Sequence, residues 1–166
     1  MPDQPTFGIR LAKESFVFSS AHFITYAGDV CERLHGHNYR VTVELTGALD
    51  DNAYVLDFVA TQRSIAEITA ELDHRVMLPT GHELIEVARE GDGETAEIVA
   101  RFREKRWVFP ADDCVLLDVP NTTAEKLAEW IGRRLLVDLG QTERGRSFGL
   151  TVEVQECDGQ SGLCRF

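Results

Sequence analysis

The segment that most constrains the fold is HGHNYRVTVELTG, residues 35–47. Its apolar side chains occupy every second position from Tyr39 to Leu45, which predicts a strand with one buried face. His35 and His37 have the same parity and are therefore predicted to point inward at the start of this strand. Two inward imidazoles need polar partners, because burying a polar group without one costs about 1–3 kcal/mol.

A third histidine, His22, ends the preceding predicted strand. Three imidazoles from two neighbouring strands can share one zinc ion, and three protein ligands leave the fourth tetrahedral position open, as in catalytic zinc sites. The alternative is that His22, His35 and His37 are ordinary polar residues, each hydrogen-bonded at a strand end.

Cys31 lies four residues before His35. It is a buried filler, a fourth ligand that closes a structural zinc site, or a thiolate base whose pKa is lowered by a nearby metal. Spacing alone does not separate these roles.

Two acidic residues stand out from their surroundings. Glu156 continues the inward parity of the last predicted strand, so either the strand ends before it or its carboxylate accepts two parallel N–H donors from a ligand. Asp73 directly precedes His74 after a predicted helix, where a carboxylate can orient an imidazole for proton transfer. Such Asp-His pairs are also frequent in loops.

The order of predicted elements is strand, strand, helix, hairpin, helix, strand, which favours an α+β fold with an antiparallel sheet and helices on one face. The first helix is predicted to begin after Asp57 as N-cap. The second is predicted to begin at a capping box of Thr122 and Glu125 and to end at Gly140. Residues 83–113 are predicted to form a hairpin.

Composition bounds the class of protein. The 166 residues are predicted to form one domain, with 43% hydrophobic and 27% charged residues. A net charge of −11 argues against binding to nucleic acid or acidic membranes. With no predicted signal sequence or membrane span, the four cysteines are expected to be reduced in a cytoplasm.

Several motifs resemble the 6-pyruvoyltetrahydropterin synthase / 6-carboxytetrahydropterin synthase family. They are, in order, FSSAHF, CERLHGHNYRVTVELTG, YVLDF, ELDHRVML, NTTAEKLAEWI and VEVQEC, and they cover residues 14–80 and 115–157. The resemblance implies the tunnelling fold, a four-stranded antiparallel sheet with two helices on one face. It also implies a homohexamer of two trimers with active sites at subunit interfaces. The segment 83–113 departs from a minimal member and is expected to be a hairpin insertion.

The resemblance also implies roles for individual residues. His22, His35 and His37 correspond to the zinc ligands. Cys31 corresponds to the catalytic cysteine, with Asp73 and His74 as its proton-relay partners. The pterin-binding residues implied by the resemblance are Glu156, Thr122, Thr123 and Glu125, although the capping box alone is sufficient to explain the threonine and glutamate of that turn.

The substrate implied by the resemblance is 7,8-dihydroneopterin triphosphate. The compact CERLHGHNY and the tail ECDGQSGLCRF resemble the queuosine-pathway branch, which forms 6-carboxytetrahydropterin, acetaldehyde and triphosphate. The alternative branch eliminates triphosphate and keeps a pyruvoyl side chain. Two other classes stay open: a zinc hydrolase that does not need Cys31, and a binding module with a closed structural zinc site.

Overall fold

The computed structural model describes residues 5–142 and 147–166. Apart from short 3₁₀ turns, its strands and helices are, in chain order, β1 (Phe7–Leu11), β2 (Val17–His22), β3 (Thr25–Tyr26), β4 (Val30–Cys31), β5 (His35–Gly47), α1 (Phe58–Leu72), β6 (Arg75–Pro79), β7 (Glu86–Glu90), β8 (Glu97–Phe102), β9 (Lys105–Pro110), β10 (Cys114–Leu117), α2 (Ala124–Thr142), β11 (Phe148–Cys157) and β12 (Gln160–Arg165).

The alternating segment that begins at His35 forms β5, the central strand of a seven-stranded sheet. β11 pairs antiparallel with one edge of β5, and β2 and β1 pair antiparallel with successive halves of the other edge. Side chains from Tyr39 to Leu45 that share the predicted inward parity are fully buried. The histidines therefore stand at the end of the buried face of the sheet.

Both helices pack against this buried face, in one core with the inward side chains of β5 and β11. The helical residues of this core recur at the three- and four-residue spacing of an amphipathic helix. They are Ile65, Ile68 and Leu72 of α1, and Leu127, Ile131, Leu135 and Leu139 of α2. The predicted α+β fold, with helices covering one face of a sheet, is confirmed.

The sheet is larger than the predicted four antiparallel strands, and it is mixed. β6 runs parallel to β2, and β10 runs parallel to β6. β12 adds an antiparallel strand beyond β11. The segment RVMLP of β6 is too short for a clear alternation, so its sequence did not predict a strand.

The start of α1 is as predicted, because the Asp57 side chain accepts a hydrogen bond from the backbone N–H of Val59 at 2.7 Å. The predicted capping box of α2 is wrong by one residue. Thr123, rather than Thr122, accepts the backbone N–H of Lys126 through its side chain, at 3.4 Å. The helix also continues past Gly140 to Thr142.

The segment 83–113, predicted to be a hairpin insertion, contains a three-stranded antiparallel sheet of β7, β8 and β9. β7 and β8 form a hairpin as predicted, and β9 adds a further strand. Ile98, Ala100 and Phe102 of β8 pack in a second apolar cluster that also contains Phe23 and Cys31. The insertion therefore packs against the segment that carries the candidate catalytic cysteine.

Among the residues that the structure describes, neither helix combines the length and the apolar composition needed to cross a bilayer.

Candidate active site

The pairing of β2 with β5 brings the three predicted histidines together. His22 lies opposite His35, and Ser20 lies opposite His37. The ring centroids are 4.7 Å apart for His22 and His35, 4.8 Å for His35 and His37, and 5.4 Å for His22 and His37. A Cβ atom at Gly36 would lie 3.1 Å from the carbonyl oxygen of Ser20, so glycine between the histidines permits the close approach of β2.

Backbone carbonyls fix the tautomers of two of these histidines. Nδ1 of His22 lies 2.9 Å from the carbonyl oxygen of Thr122, and Nδ1 of His35 lies 2.8 Å from that of Arg33. A carbonyl oxygen can only accept, so each Nδ1 carries the proton and each neutral ring presents an Nε2 lone pair. This is the arrangement by which metal-ligating histidines are usually oriented.

The Glu156 carboxylate of β11 lies against the Nε2 atoms of two of the three histidines. Its Oε1 lies 3.1 Å from Nε2 of His22 and 3.3 Å from Nε2 of His37, and the Tyr39 hydroxyl donates to it at 3.4 Å. Contact with His22 outweighs burial and lowers the pKa of the Glu156 carboxyl, whereas burial lowers the pKa of His37. At neutral pH the carboxylate is charged and His37 is neutral.

This arrangement fits a metal ion. Nε2 of His22 and Nε2 of His37 are buried without a hydrogen-bond partner among the described residues, and each faces a carboxylate oxygen. Opposed lone pairs at this distance repel unless a proton or a metal cation lies between them. One ligand atom from each of His22, His35, His37 and Glu156 lies within 4.8 Å of the others. Ligand atoms in a tetrahedral zinc site lie about 3.3 Å apart, close to the contacts made by Glu156.

Cys31 lies beside this group but is not part of it within the described chain. Its strand β4 pairs with β3, and its Sγ donates weakly to the carbonyl oxygen of Glu32 at 3.5 Å. Together with His35 it lines a cavity of about 500 Å³. Burial raises the pKa of the thiol, although the Lys105 ammonium opposes this shift.

Asp73 and His74 form a bonded pair at the end of α1. Asp73 accepts the backbone N–H of Ser19 at 2.8 Å and contacts Nδ1 of His74 at 2.9 Å. The Ser19 N–H is the main cause of the lowered pKa of Asp73. His74 has a φ of 56°, an uncommon backbone conformation for a residue other than glycine, and its side chain is 82% exposed. It lines a cavity of about 560 Å³ with His37.

The predicted turn residues before and within α2 separate into two environments. Thr122 is fully buried, donates its hydroxyl to the carbonyl oxygen of Phe23 at 3.2 Å, and orients His22 through its own carbonyl. Thr123 and Glu125 instead line a cavity of about 340 Å³ together with Glu156. Thr122 therefore contacts the histidine cluster, and the other two residues border the carboxylate.

Within a single chain, the predicted site residues do not all come into contact with one another. Among the described residues, Cys31 forms no hydrogen bond or ion pair with Asp73 or His74, and the two groups line different cavities. The sequence analysis also missed Tyr39 as a partner of Glu156, although both residues occupy inward-facing positions in their predicted strands. It missed Lys105 because nothing local to the insertion indicates that it reaches Cys31.

Comparison with known proteins finds similar sequences and structures. The profile of the family described as 6-pyruvoyl tetrahydropterin synthase matches residues 10–164. A Methanocaldococcus jannaschii protein with the provisional name 6-carboxy-5,6,7,8-tetrahydropterin synthase is 34% identical over 89% of this chain and 87% of its own. A Pyrococcus horikoshii protein with the same provisional name is 35% identical over 74% of this chain and 71% of its own.

A Haemophilus influenzae protein named 6-carboxy-5,6,7,8-tetrahydropterin synthase is 27% identical over 78% of this chain and 83% of its own. Among solved structures, the Plasmodium falciparum 6-pyruvoyl tetrahydropterin synthase superposes with a TM-score of 0.87 at 25% identity. That superposition covers 98% of this chain and 99% of the other.

Proposed function

Because the chain belongs to the 6-pyruvoyl tetrahydropterin synthase family and has its α+β tunnelling fold, we propose that it is a zinc-dependent 6-carboxy-5,6,7,8-tetrahydropterin synthase. The proposed reaction converts 7,8-dihydroneopterin triphosphate into 6-carboxytetrahydropterin, acetaldehyde and triphosphate, as a step in queuosine biosynthesis. The relatives that carry the carboxypterin name support this branch, as does the compact CERLHGHNY motif.

The observation that carries the proposal is the set of Nε2 lone pairs converging beside a thiol that lies outside the set. His22, His35 and His37 would hold the zinc ion, which when bound would supply Lewis acidity toward the hydroxyls of the substrate side chain. The carbonyls of Thr122 and Arg33 would keep two of the rings in the ligating tautomer.

The chain's own groups then bind the pterin and move protons. Glu156, held as a carboxylate, accepts the paired N–H donors of the pterin edge. Cys31, as the thiolate that the positive charge of a bound zinc ion would favour, takes a proton from the substrate side chain, and His74, oriented by Asp73, exchanges it. Thr123 and Glu125 border the pterin beside Glu156.

We propose that the active enzyme is a homohexamer with sites at subunit interfaces. His74 is exposed, and within one chain it is not bonded to Cys31. The proposed proton relay between these residues becomes possible if the His74 of one subunit faces the Cys31 of another.

The main alternative is a 6-pyruvoyltetrahydropterin synthase, because the Plasmodium falciparum structure that superposes so completely carries that name. Incubation of the zinc-loaded protein with 7,8-dihydroneopterin triphosphate, followed by mass analysis of the products, separates the two. Acetaldehyde with a carboxypterin supports the proposal, and a pyruvoyl product would replace it with the alternative.

A Cys31→Ala variant addresses the hydrolase hypothesis. It is expected to abolish formation of both pterin products, because the thiol is the proposed base, while a Cys164→Ala variant, which removes a thiol from β12, keeps activity. Turnover that survives in Cys31→Ala would favour metal-activated water. Unfolding on zinc removal, followed by circular dichroism, would instead favour a closed structural site.

A further inference from the structure

Three cationic side chains, Arg33, Lys105 and Arg106, gather beside Cys31, and we refer to them as the basic cluster. Arg33 and Lys105 line the cavity of about 500 Å³ that also contains Cys31 and His35. All three line an adjoining cavity of about 310 Å³. Each is exposed, so the charges face the solvent-accessible space of these cavities.

The charges of the basic cluster are not neutralised by nearby carboxylates. Among the described residues, none of the three forms an ion pair, and the carboxylate that shares their cavity, Glu32, lies 3.9 Å from Nε2 of His35. Six other cations of the described chain are paired with carboxylates, whereas some, such as Arg89, are not; the six are Arg10, Arg101, Arg103, Lys126, Arg133 and Arg134.

Lys105 couples the insertion to the candidate base. From the start of β9, its ammonium donates to the carbonyl oxygen of Cys31 at 2.7 Å, leaving two of its three N–H donors available. The neighbouring Arg103 forms an ion pair with Asp29 at 2.9 Å, which holds the β8–β9 turn against the loop before Cys31. A ligand bound at Lys105 would therefore have a defined position relative to the thiol.

We propose that the basic cluster binds the oligophosphate group of the substrate, an inference that rests on the proposed function. A chain of net charge −11 repels a polyanion unless cations are concentrated locally, as they are here. Arginine binds phosphate oxygens in bidentate fashion, and lysine binds them as a point charge. The insertion thereby sets specificity for a phosphorylated substrate, and it holds the phosphates on the side of the site occupied by Cys31.

The test uses Arg106→Gln, Lys105→Met and, as a matched control, Arg89→Gln. Arg89 is an exposed arginine on β7 of the same insertion, so its replacement removes the same charge from the same small sheet. Binding of inorganic triphosphate to the zinc-loaded proteins is measured by isothermal titration calorimetry. Zinc content is measured after each titration so that loss of metal is not mistaken for phosphate binding.

Each cluster variant is expected to weaken triphosphate binding about three- to tenfold, whereas the Arg89 variant stays within about twofold of the parent protein. In a second arm, KM for 7,8-dihydroneopterin triphosphate rises in the cluster variants, while binding of unphosphorylated 7,8-dihydroneopterin is unchanged. The side chain of Arg106 forms no hydrogen bond or ion pair within the described chain, so its variant reports phosphate binding without loss of an internal contact.

Equal binding of triphosphate by the cluster variants and the control would overturn the inference, as would an equal loss in all three. The calorimetric arm does not require turnover. If the chain turns over no pterin but triphosphate binding depends on the basic cluster, the proposed function fails and the phosphate subsite stands.

Discussion

At the scale of single residues, the site depends on which ring nitrogen of each histidine carries a proton. Thr122 and Arg33 supply backbone carbonyls that accept hydrogen bonds from the Nδ1–H groups of His22 and His35. The resulting Nε2 lone pairs all lie near one carboxylate oxygen of Glu156. A metal ion satisfies this arrangement directly, because it accepts lone pairs from imidazole and carboxylate alike.

Glu156→Gln tests the role of the carboxylate while preserving the shape of the side chain. Loss of a charge-assisted bond to the pterin is expected to raise KM about 10- to 150-fold, which corresponds to about 1.5–3 kcal/mol. Steady-state kinetics with the pterin substrate measure this effect. Glu153→Gln, an exchange on the same strand but of opposite parity, is the control and is expected to change KM little.

An unchanged KM in Glu156→Gln would contradict the assignment as pterin anchor. If zinc affinity, measured by competition with a chelator, fell sharply at the same time, the carboxylate would act mainly as a fourth metal ligand.

Much of the site at this scale could be predicted from which face of a strand each side chain occupies. The alternation of apolar side chains along β5 and β11 predicts the inward positions of the histidines and of Glu156 from sequence alone. The carbonyl partners of the histidines could not be predicted, because they belong to loops whose backbone direction has no sequence period. The contact of Lys105 with Cys31 joins residues 74 positions apart, which local patterns cannot indicate.

At the scale of elements, the last strand and the second helix meet at a glycine. A Cβ atom at Gly162 of β12 would lie 2.6 Å from the carbonyl carbon of Ala124 and 2.9 Å from Cα of Glu125. These are backbone atoms of the first turn of α2 and cannot move independently. The close approach places Glu125 beside the cavity that also contains Glu156.

Gly162→Ala is therefore expected to destabilise the fold by about 1–3 kcal/mol, because the added methyl group overpacks a backbone contact. Gly140→Ala is the control, since no described atom outside its own turn of helix lies within 4 Å of its Cβ position and alanine favours the helix by up to about 1 kcal/mol. Chemical denaturation of both variants measures the difference. Equal stabilities would show that β12 does not pack against α2 as described.

The elements themselves were predicted with uneven success. The helices and the alternating strands were found because each has a clear hydrophobic period. β6 and β10 were harder to predict from sequence, because short strands in a parallel pairing lack an alternation of apolar and polar side chains. The prediction of a capping box at Thr122 was wrong because the Thr122 hydroxyl donates to the carbonyl oxygen of Phe23. This tertiary contact overrides the local sequence motif.

At the scale of the whole molecule, the two residues of the proposed proton relay are not in contact within one described chain. Cys31 and His74 lie in different cavities of the same subunit, and His74 is presented to solvent in a strained backbone conformation. An assembly that brings the His74 of one subunit to the Cys31 of its neighbour would explain both facts. The sequence indicated such an assembly only through its resemblance to a family.

Co-expression of Cys31→Ala with His74→Ala tests this arrangement. Each variant alone is expected to be inactive, whereas mixed assemblies regain up to about a quarter of wild-type activity, because random mixing unites two intact residues at that fraction of sites. Separately tagged chains allow the mixed species to be purified and assayed. Activity no greater than that of either variant alone would contradict a site shared between subunits.

The central claim is that three imidazoles hold a catalytic metal while the neighbouring thiol stays outside its coordination shell. X-ray absorption at the zinc edge of the pterin-free protein tests this most directly. Nitrogen and oxygen ligands are expected at about 2.0–2.2 Å from the zinc ion, with no sulfur ligand. A sulfur ligand at about 2.3 Å would contradict it, because Cys31 would then close a structural site.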